Sequence, residues 1–160
     1  HGLGWSCSED EEAAMSELKN RILDILKQPQ LSGLATITED GKPWVRYVMA
    51  VAGEDLTVRC ATFVGARKVA QIKENPEVHL TCGVTDPAKM VPYLQIQARA
   101  QLCTDEAERH GFWSDMLAPI FAGPDDPNFG VLVMTPYRIE VCSPGSMEPE
   151  VWTAECCCCA

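Results

Sequence analysis

Hydrophobic residues recur at helical spacing near the beginning of the chain. Over residues 16–27, charged side chains occupy one face of a helix and apolar side chains the other. The apolar face consists of Leu18, Ile22, Ile25 and Leu26. Pro29 ends the pattern, because proline cannot continue a helix. We therefore predict a first amphipathic helix over residues 16–27.

Beyond this helix the hydrophobic pattern changes to that of strands. Short segments rich in Val, Ile, Thr and aromatic residues follow one another, separated by Gly, Pro, Asn and Asp. The Asp40-Gly41 pair between the first two segments is typical of a hairpin, so these two strands should be antiparallel neighbours. The predicted strands span residues 34–38, 43–51, 56–62, 78–85, 93–104, 129–135 and 138–142.

Two further helices are predicted between the strands. One spans residues 67–74 and is ended by Asn75-Pro76. The other begins at Thr104, where a hydroxyl cap and acidic residues favour a helix start. Its predicted inward side chains are Phe112, Trp113, Met116 and Leu117. Because six or seven short strands are joined mostly by tight turns, the predicted fold class is mainly β, an antiparallel β-barrel with peripheral helices.

The length of the chain sets its domain organisation. A chain of 160 residues that is 46% hydrophobic can bury one compact core. We predict a barrel domain over residues 15–145 and a C-terminal tail over residues 146–160. Residues 1–14 are interpreted as a leader, either disordered or introduced upstream of a natural start at Met15. With no apolar run of about 18 residues and no signal-peptide pattern, we expect no membrane association and a cytoplasmic location.

The nine cysteines do not have the distribution of a disulfide framework. Four form a terminal run from Cys156 to Cys159, and the others show no Cys-x-x-Cys spacing. Because neighbouring cysteines on a tail are poorly arranged for a tetrahedral metal site, we predict a disordered tail and no metal site. The cysteines in apolar or strand-like contexts, which we predict to be buried free thiols, are Cys60, Cys82, Cys103 and Cys142.

The charge of the chain restricts its ligands. A formal net charge of -10 argues against nucleic-acid binding, which needs a basic face. The charge is unevenly distributed, because residues 42–99 hold eight basic and five acidic side chains whereas the flanking segments are strongly acidic. A phosphate or carboxylate requires such a local reversal, since the surrounding negative field would otherwise repel it. The expected ligand is therefore anionic.

The candidate anion site lies where a predicted strand leads into the second predicted helix. Backbone N–H groups, the helix dipole and the Thr62 hydroxyl could converge there on one phosphate. Arg67 and Lys68 add positive charge, and Arg46 on the preceding hairpin could bind the same group with two hydrogen bonds. In the alternative interpretation, Arg67 and Lys68 begin a solvated helix and Arg46 is an ordinary surface charge. Composition alone favours neither interpretation.

Two segments resemble motifs of a known family. Residues 62–76 are similar to the flavin mononucleotide (FMN) motif of the pyridoxamine 5'-phosphate oxidase-like split barrels. The matching residues, in order, are Thr62, Gly65, Arg67, Lys68, Asn75 and Pro76. Residues 43–48 resemble the upstream strand of that family, and the spacing between the two motifs agrees. The resemblance extends over residues 18–142 and is greatest to the general-stress-protein branch.

This resemblance implies a six-stranded antiparallel split barrel, FMN at the interface of a homodimer, and flavin redox chemistry. The residues that would bind the phosphate or its neighbouring oxygens are Arg46, Thr62, Arg67 and Lys68. The residues that would line the ribityl chain or the ring are Tyr47, Val48, Met49 and Phe63.

Three positions depart from the family pattern. Ala66 replaces a phosphate-binding Ser, which removes one hydrogen bond worth about 0.5–1.5 kcal/mol. Val51 stands in place of a Lys that true oxidases use toward the substrate phosphate, and no Arg-x-His signature follows Cys142. Cys142 itself replaces a Trp that packs near the flavin. The resemblance thus implies a family member that is not an authentic pyridoxamine phosphate oxidase.

Two hypotheses for the function follow. The first is an FMN-dependent oxidoreductase that exchanges electrons with a small-molecule donor or acceptor, in which the flavin carries the chemistry. The second is a flavin-binding stress-response module without turnover. Another cofactor in the same barrel, a deazaflavin or haem, is a further alternative, and His79 is the mid-strand candidate for an axial haem ligand.

Overall fold

The structure is a computed structural model that describes residues 8–154 of the chain. The first half of the predicted leader and the cysteine run from Cys156 to Cys159 lie outside the described residues. Among residues 8–154, no helix is both long enough and apolar enough to cross a membrane.

Seven antiparallel strands form the body of the molecule, in the order β3-β2-β1-β4-β5-β6-β7. An additional pairing of β3 with β6 closes the first six strands into a barrel. The strands are β1 Gln30–Ile37, β2 Pro43–Ala52, β3 Val58–Phe63, β4 Glu77–Cys82, β5 Tyr93–Cys103, β6 Phe129–Cys142 and β7 Glu150–Thr153. The predicted mainly β fold, a six-stranded antiparallel split barrel with peripheral helices, is confirmed.

The core fills the inside of the barrel. Alternate residues of each strand point inward, as the two-residue period of a strand requires, and β1 shows this alternation clearly because Ser32, Leu34 and Thr36 are buried. Helix α1, Glu9–Leu26, packs its buried residues Leu18 and Ile22 onto the same core. The two other α-helices are α2 Arg67–Glu74 and α3 Glu106–Phe112.

Helix α1 begins earlier than predicted. Its first residue is Glu9 rather than Ser16, and a capping box explains the difference, because the Ser8 side chain accepts from the Glu11 backbone N–H while the Glu11 carboxylate accepts from the Ser8 N–H. The four acidic residues of the first turn also favour the helix N-terminus. Residues 9–14 are therefore helical, and of the two interpretations given for the leader, disorder does not describe them.

Strand β6 joins two segments that were predicted as separate strands. Pro136 lies between them and predicts a break, because proline cannot donate to a sheet ladder. In the structure the ladder shifts register at Gln97 and Ala98, opposite Pro136, so that the strand continues past the proline with a bulge.

Strand β7 lies in the predicted tail. Its residues pair with Arg138–Val141 of β6, and Trp152 packs against the main core. Glu150 also forms an ion pair with Arg21 of α1 at 2.7 Å. The predicted disorder of the tail was wrong for Glu150–Thr153, because pairing to a neighbouring strand satisfies the backbone groups of a segment too short to form a structure alone.

The region around α3 differs from the prediction in two details. The cap is the Asp105 carboxylate, which accepts from the Glu108 N–H, and not the Thr104 hydroxyl. The α-helix ends at Phe112, so helical spacing no longer determines the orientation of Met116, which is 68% exposed. The three other predicted inward residues pack around the buried pair Phe121 and Phe129; they are Phe112, Trp113 and Leu117.

The cysteines are partly as predicted. Cys60 and Cys82 are buried free thiols, and burial raises their pKa values to about 12 and about 11. Cys103 and Cys142 are also free, but each is only partly buried, because both lie near the ends of strands at the margin of the barrel.

Candidate functional site

The candidate site lies at the end of the barrel where β3 leads into α2. Ala66 is the N-cap of α2 and has the extended backbone of a capping residue, with φ -67° and ψ 148°. No side chain in the described part of the chain, residues 8–154, caps this helix start. Because the first N–H groups of a helix lack partners within the helix, α2 presents donors and the positive end of its dipole at this point.

Three cations meet beside this helix start, and we call them the cationic corner: Arg46, Arg67 and Lys68. Burial, followed by the proximity of Arg67, lowers the pKa of Arg46. Burial is also the main cause that lowers the pKa of Lys68, with a contribution from Arg46. Among residues 8–154, none of the three forms an ion pair with a carboxylate. An anion bound there would relieve the repulsion among them.

Arg46 is held in a defined position. Its Nη1 donates to Thr36 Oγ1 at 2.6 Å and to the Trp44 carbonyl at 3.1 Å. Its Nη2 donates to Gln71 Oε1 on α2 at 3.0 Å. Arg46 is therefore anchored between two strands and a helix, and the interpretation as an ordinary surface charge does not describe it.

The other residues predicted to bind phosphate have different environments. Arg67 is exposed and lies 5.8 Å from the centre of the Trp44 ring, within the range of a cation–π contact. Thr62 is only 3% exposed, and its hydroxyl donates to the Phe63 carbonyl at 3.2 Å. The structure thus brings Arg46, Arg67 and Lys68 together, while Thr62 lies below the surface at the end of β3.

An exposed apolar surface lies on the outside of β1 and β2, and we call it the outer apolar face. Its residues are Leu31, Val45, Tyr47 and Met49, all about half exposed or more. A groove of about 550 Å³ runs over Gly33 in this face and is bordered also by Arg46, Thr81 and Tyr93. A Cβ atom at Gly33 would lie 3.4 Å from Thr81 Cγ2, so glycine deepens the floor of the groove.

The four residues predicted to line the ribityl chain or ring divide into three groups. Tyr47 and Met49 lie on the outer apolar face, with Tyr47 77% exposed. Val48 points the other way and packs in the barrel core, because alternate residues of a strand face opposite sides. Its side chain is therefore turned away from a ligand on the outer apolar face, and Val48 stays a predicted lining residue through its backbone alone. Phe63 is half exposed and contacts Phe121, with 4.8 Å between ring centres.

The sequence does not indicate two residues of the site, Thr36 and Gln71. Thr36 is fully buried, and its alternation with Leu34 gives it the pattern of a core residue. Gln71 lies in the matched motif but carries no charge that would single it out. Both contact Arg46, and only the pairing of β1 with β2 beneath α2 reveals this.

A separate polar patch covers the outer side of β4, β5 and β6. The patch consists of His79, Gln95, Gln97, Arg138 and Glu140, around a cavity of about 90 Å³. The Arg138 guanidinium donates to Glu140 at 2.6 Å, and burial lowers the pKa of His79. Gln95 Oε1 accepts from the thiol of Cys142, the residue that replaces the family Trp, at 3.6 Å.

A closed antiparallel barrel with a cationic corner at one end and an apolar groove on its outer side defines a split-barrel protein. The chain belongs to the pyridoxamine 5'-phosphate oxidase family, whose model matches residues 18–143. This finding confirms the resemblance expected from the sequence.

Individual proteins are similar to this chain in sequence or in fold. The chain is 29% identical over 133 residues to General stress protein 26 of Bacillus subtilis, which covers 83% of this chain and 94% of that protein. The structure of General Stress Protein 26 from Bacillus anthracis superposes with a TM-score of 0.73 at 24% identity, over 86% of this chain and 98% of the other. A protein related to general stress protein 26 from Clostridium acetobutylicum gives a TM-score of 0.70 at 19% identity, over 89% and 96% of the two chains.

Proposed function

We propose that this protein binds FMN, with the phosphate in the cationic corner and the ring system along the adjoining groove. The observation that carries the proposal is the cluster of Arg46, Arg67 and Lys68, which has no carboxylate partner among residues 8–154 and lies at an uncapped helix start. A phosphate monoester matches this site, because it is small, doubly charged and accepts several hydrogen bonds. Arg46 connects the two regions along β2, because its side chain joins the cationic corner while its neighbours Val45 and Tyr47 line the groove.

Redox chemistry would reside in the flavin, whose isoalloxazine ring accepts and releases electrons when it is bound. The chain itself would bind and orient this group. Arg46 and Lys68 hold the phosphate end, while Tyr47 and Met49 offer apolar contact to the ring. We propose on this basis an oxidoreductase acting with a small-molecule electron donor or acceptor.

Pyridoxamine phosphate is not the substrate we propose. The position of the substrate-binding Lys holds Val51, which pairs with Arg59 across β2 and β3 and offers no charge. The segment after Cys142 contains β7, Glu150–Thr153, and carries no Arg-x-His sequence. A second phosphorylated ligand would therefore lack its cationic partners.

We further propose a homodimer that covers the groove. Exposing the outer apolar face to water is unfavourable in free energy. Monomeric proteins rarely expose a large contiguous apolar surface of this kind. A second copy would cover it and shield a bound ring from solvent. A cytoplasmic location belongs to the same proposal.

Titration with FMN tests the cofactor. The wild-type protein should quench FMN fluorescence, and Lys68→Met should weaken binding by about 10-fold or more, because it removes a charge-assisted contact. Lys73→Met is the matched control, since Lys73 lies in the last turn of the same helix, and it should leave the affinity within about twofold of wild type. Equal affinities of the two variants would contradict the proposed site.

The purified protein with its bound chromophore also distinguishes an oxidoreductase from a binding module, and FMN from another cofactor. Bleaching of the bound flavin by NAD(P)H and its reoxidation by an added acceptor indicate an oxidoreductase, whereas an inert bound flavin indicates a binding module. Proteins of the same fold include an F420 reductase and a haem-binding protein from Mycobacterium smegmatis. The absorption spectrum of the chromophore released on denaturation therefore decides among FMN, a deazaflavin and haem.

A further inference from the structure

Two uncharged residues, Thr36 and Gln71, surround the Arg46 guanidinium where it enters the cationic corner. Thr36 is 0% exposed and lies on the inner side of β1. Gln71 comes from α2, on the other side of Arg46. The two side chains also contact each other, with Thr36 Oγ1 2.6 Å from Gln71 Oε1. Each of the three elements β1, β2 and α2 thus contributes one side chain to a common contact.

The hydrogen bonds among these three side chains form a closed triangle. The Thr36 hydroxyl donates to Gln71 Oε1 and accepts from Arg46 Nη1 at 2.6 Å. Gln71 Oε1 accepts a second bond from Arg46 Nη2 at 3.0 Å. Because a guanidinium can only donate, the amide oxygen of Gln71 and not its NH₂ group must face Arg46. The orientation of each side chain is therefore fixed by the other two.

Every acceptor that Arg46 contacts within residues 8–154 is neutral. Besides Thr36 and Gln71, Arg46 Nη1 faces the carbonyl oxygens of Leu34 at 3.3 Å and Trp44 at 3.1 Å. These contacts fix the guanidinium without neutralising its charge. Its Nε–H group and one Nη2 hydrogen have no partner among residues 8–154, so they stay available to a ligand.

We propose that Thr36 and Gln71 are positioning residues that hold Arg46 ready for the phosphoryl group of the ligand. A free arginine loses side-chain entropy when it binds an anion, and an arginine already fixed by neutral partners avoids most of that loss. The inference rests on the proposed function only for the identity of the ligand as FMN. It goes further by assigning phosphate recognition to two uncharged residues that do not touch the phosphate.

Gln71→Met and Thr36→Val test this assignment, with Gln101→Met as the matched control on the exposed side of β5. Met and Val keep the approximate size of the side chain and remove its hydrogen bonds. Each of the two test variants should weaken FMN binding by about 5- to 30-fold, because Arg46 loses its fixed orientation. Riboflavin lacks the phosphate, so its affinity should stay within about twofold of wild type in all three variants.

The ratio of the two affinities separates positioning from a general structural role. A variant that merely disturbed the barrel would weaken riboflavin and FMN in the same proportion, and that result would overturn the proposal. An FMN affinity within twofold of wild type in both test variants would overturn it as well. If Thr36→Val lacks the circular dichroism of the wild type, Gln71→Met decides alone, since Gln71 is only half buried.

The same experiment distinguishes a failure of the proposed function from a failure of the positioning role of Thr36 and Gln71. If the wild-type protein binds no FMN, the proposed function fails, and calorimetric titration with inorganic phosphate then tests the positioning role. Weaker phosphate binding by Gln71→Met than by wild type and Gln101→Met would support the inference. Equal phosphate binding by all three, or no phosphate binding by the wild type, would overturn it.

Discussion

At the level of single residues, Ala66 combines two properties at the start of α2. It has the backbone geometry of an N-cap but no side-chain oxygen to bond the first N–H groups of the helix. The helix is less stable than it would be with a Ser at this position. The same absence leaves those N–H groups available to an anion. Ala66 thus lacks a hydroxyl that could cap the helix in the free protein and donate to a bound anion.

Ala66→Ser should therefore change both stability and affinity. A Ser cap should raise the free energy of unfolding by about 0.5–1 kcal/mol, measured by urea denaturation without ligand. Because a hydroxyl can also donate to a phosphate oxygen, FMN should bind up to about 10-fold more tightly. Ala70→Ser lies on the exposed part of the same helix and should slightly destabilise it. A lower stability of Ala66→Ser would show that the N-cap assignment is wrong.

The candidate site illustrates which residues a sequence can identify. Arg46, Arg67 and Lys68 are recognisable because charge in an acidic protein and a motif of fixed spacing both single them out. Thr36 and Gln71 are not, because a buried Thr and a helical Gln have ordinary structural explanations. Their contacts depend on the register that places Arg46 opposite Leu34 and on the position of α2 over the barrel end. Such contacts join segments distant along the chain.

At the level of elements, local patterns predicted most strands because alternation of apolar residues is a local property. The strand predictions that were wrong concern positions where pairing with another strand determines the local structure. Pro136 would end an isolated strand, yet β5 accommodates it by a shift in register. Likewise, Glu150–Thr153 contains strand-favouring residues but is only four residues long, and it is ordered by pairing with β6.

Strand β7 should contribute measurably to stability. Trp152→Ala should lower the free energy of unfolding by about 2 kcal/mol, because Trp152 is partly buried against the main core. Met147 is 100% exposed in the preceding segment, so Met147→Ala should change stability by less than about 0.5 kcal/mol. Equal stabilities of the two variants in urea denaturation would mean that the segment after residue 146 does not pack on the barrel.

At the level of the whole molecule, the outer apolar face contrasts with the acidic remainder of the surface. A net charge of -10 keeps molecules apart by repulsion, whereas Leu31, Val45, Tyr47 and Met49 favour association at one place. In the homodimer that we propose, two copies related by a twofold axis would bury this face on both sides.

Val45→Glu should shift the protein from dimer to monomer. Val45 is 65% exposed on the outer apolar face, and a carboxylate buried between two copies would be desolvated without a partner. Light scattering after size-exclusion chromatography measures the change in mass. Met147→Glu adds the same charge at a fully exposed position and should leave the mass unchanged. A wild-type protein that is already monomeric, or a Val45→Glu variant that stays dimeric, would exclude this face as the interface.

The pairing of β3 with β6 has a consequence for how the chain acquires its shape. It brings Phe63 beside Phe129 and Val58 beside Met134, segments that are far apart in sequence, whereas β1 and β2 meet through a short hairpin. Closing so long a loop is entropically unfavourable, so we expect this seam to form late in folding. The turn that begins α2 follows β3 directly, and the nascent chain would therefore complete the proposed phosphate site only after the barrel has closed.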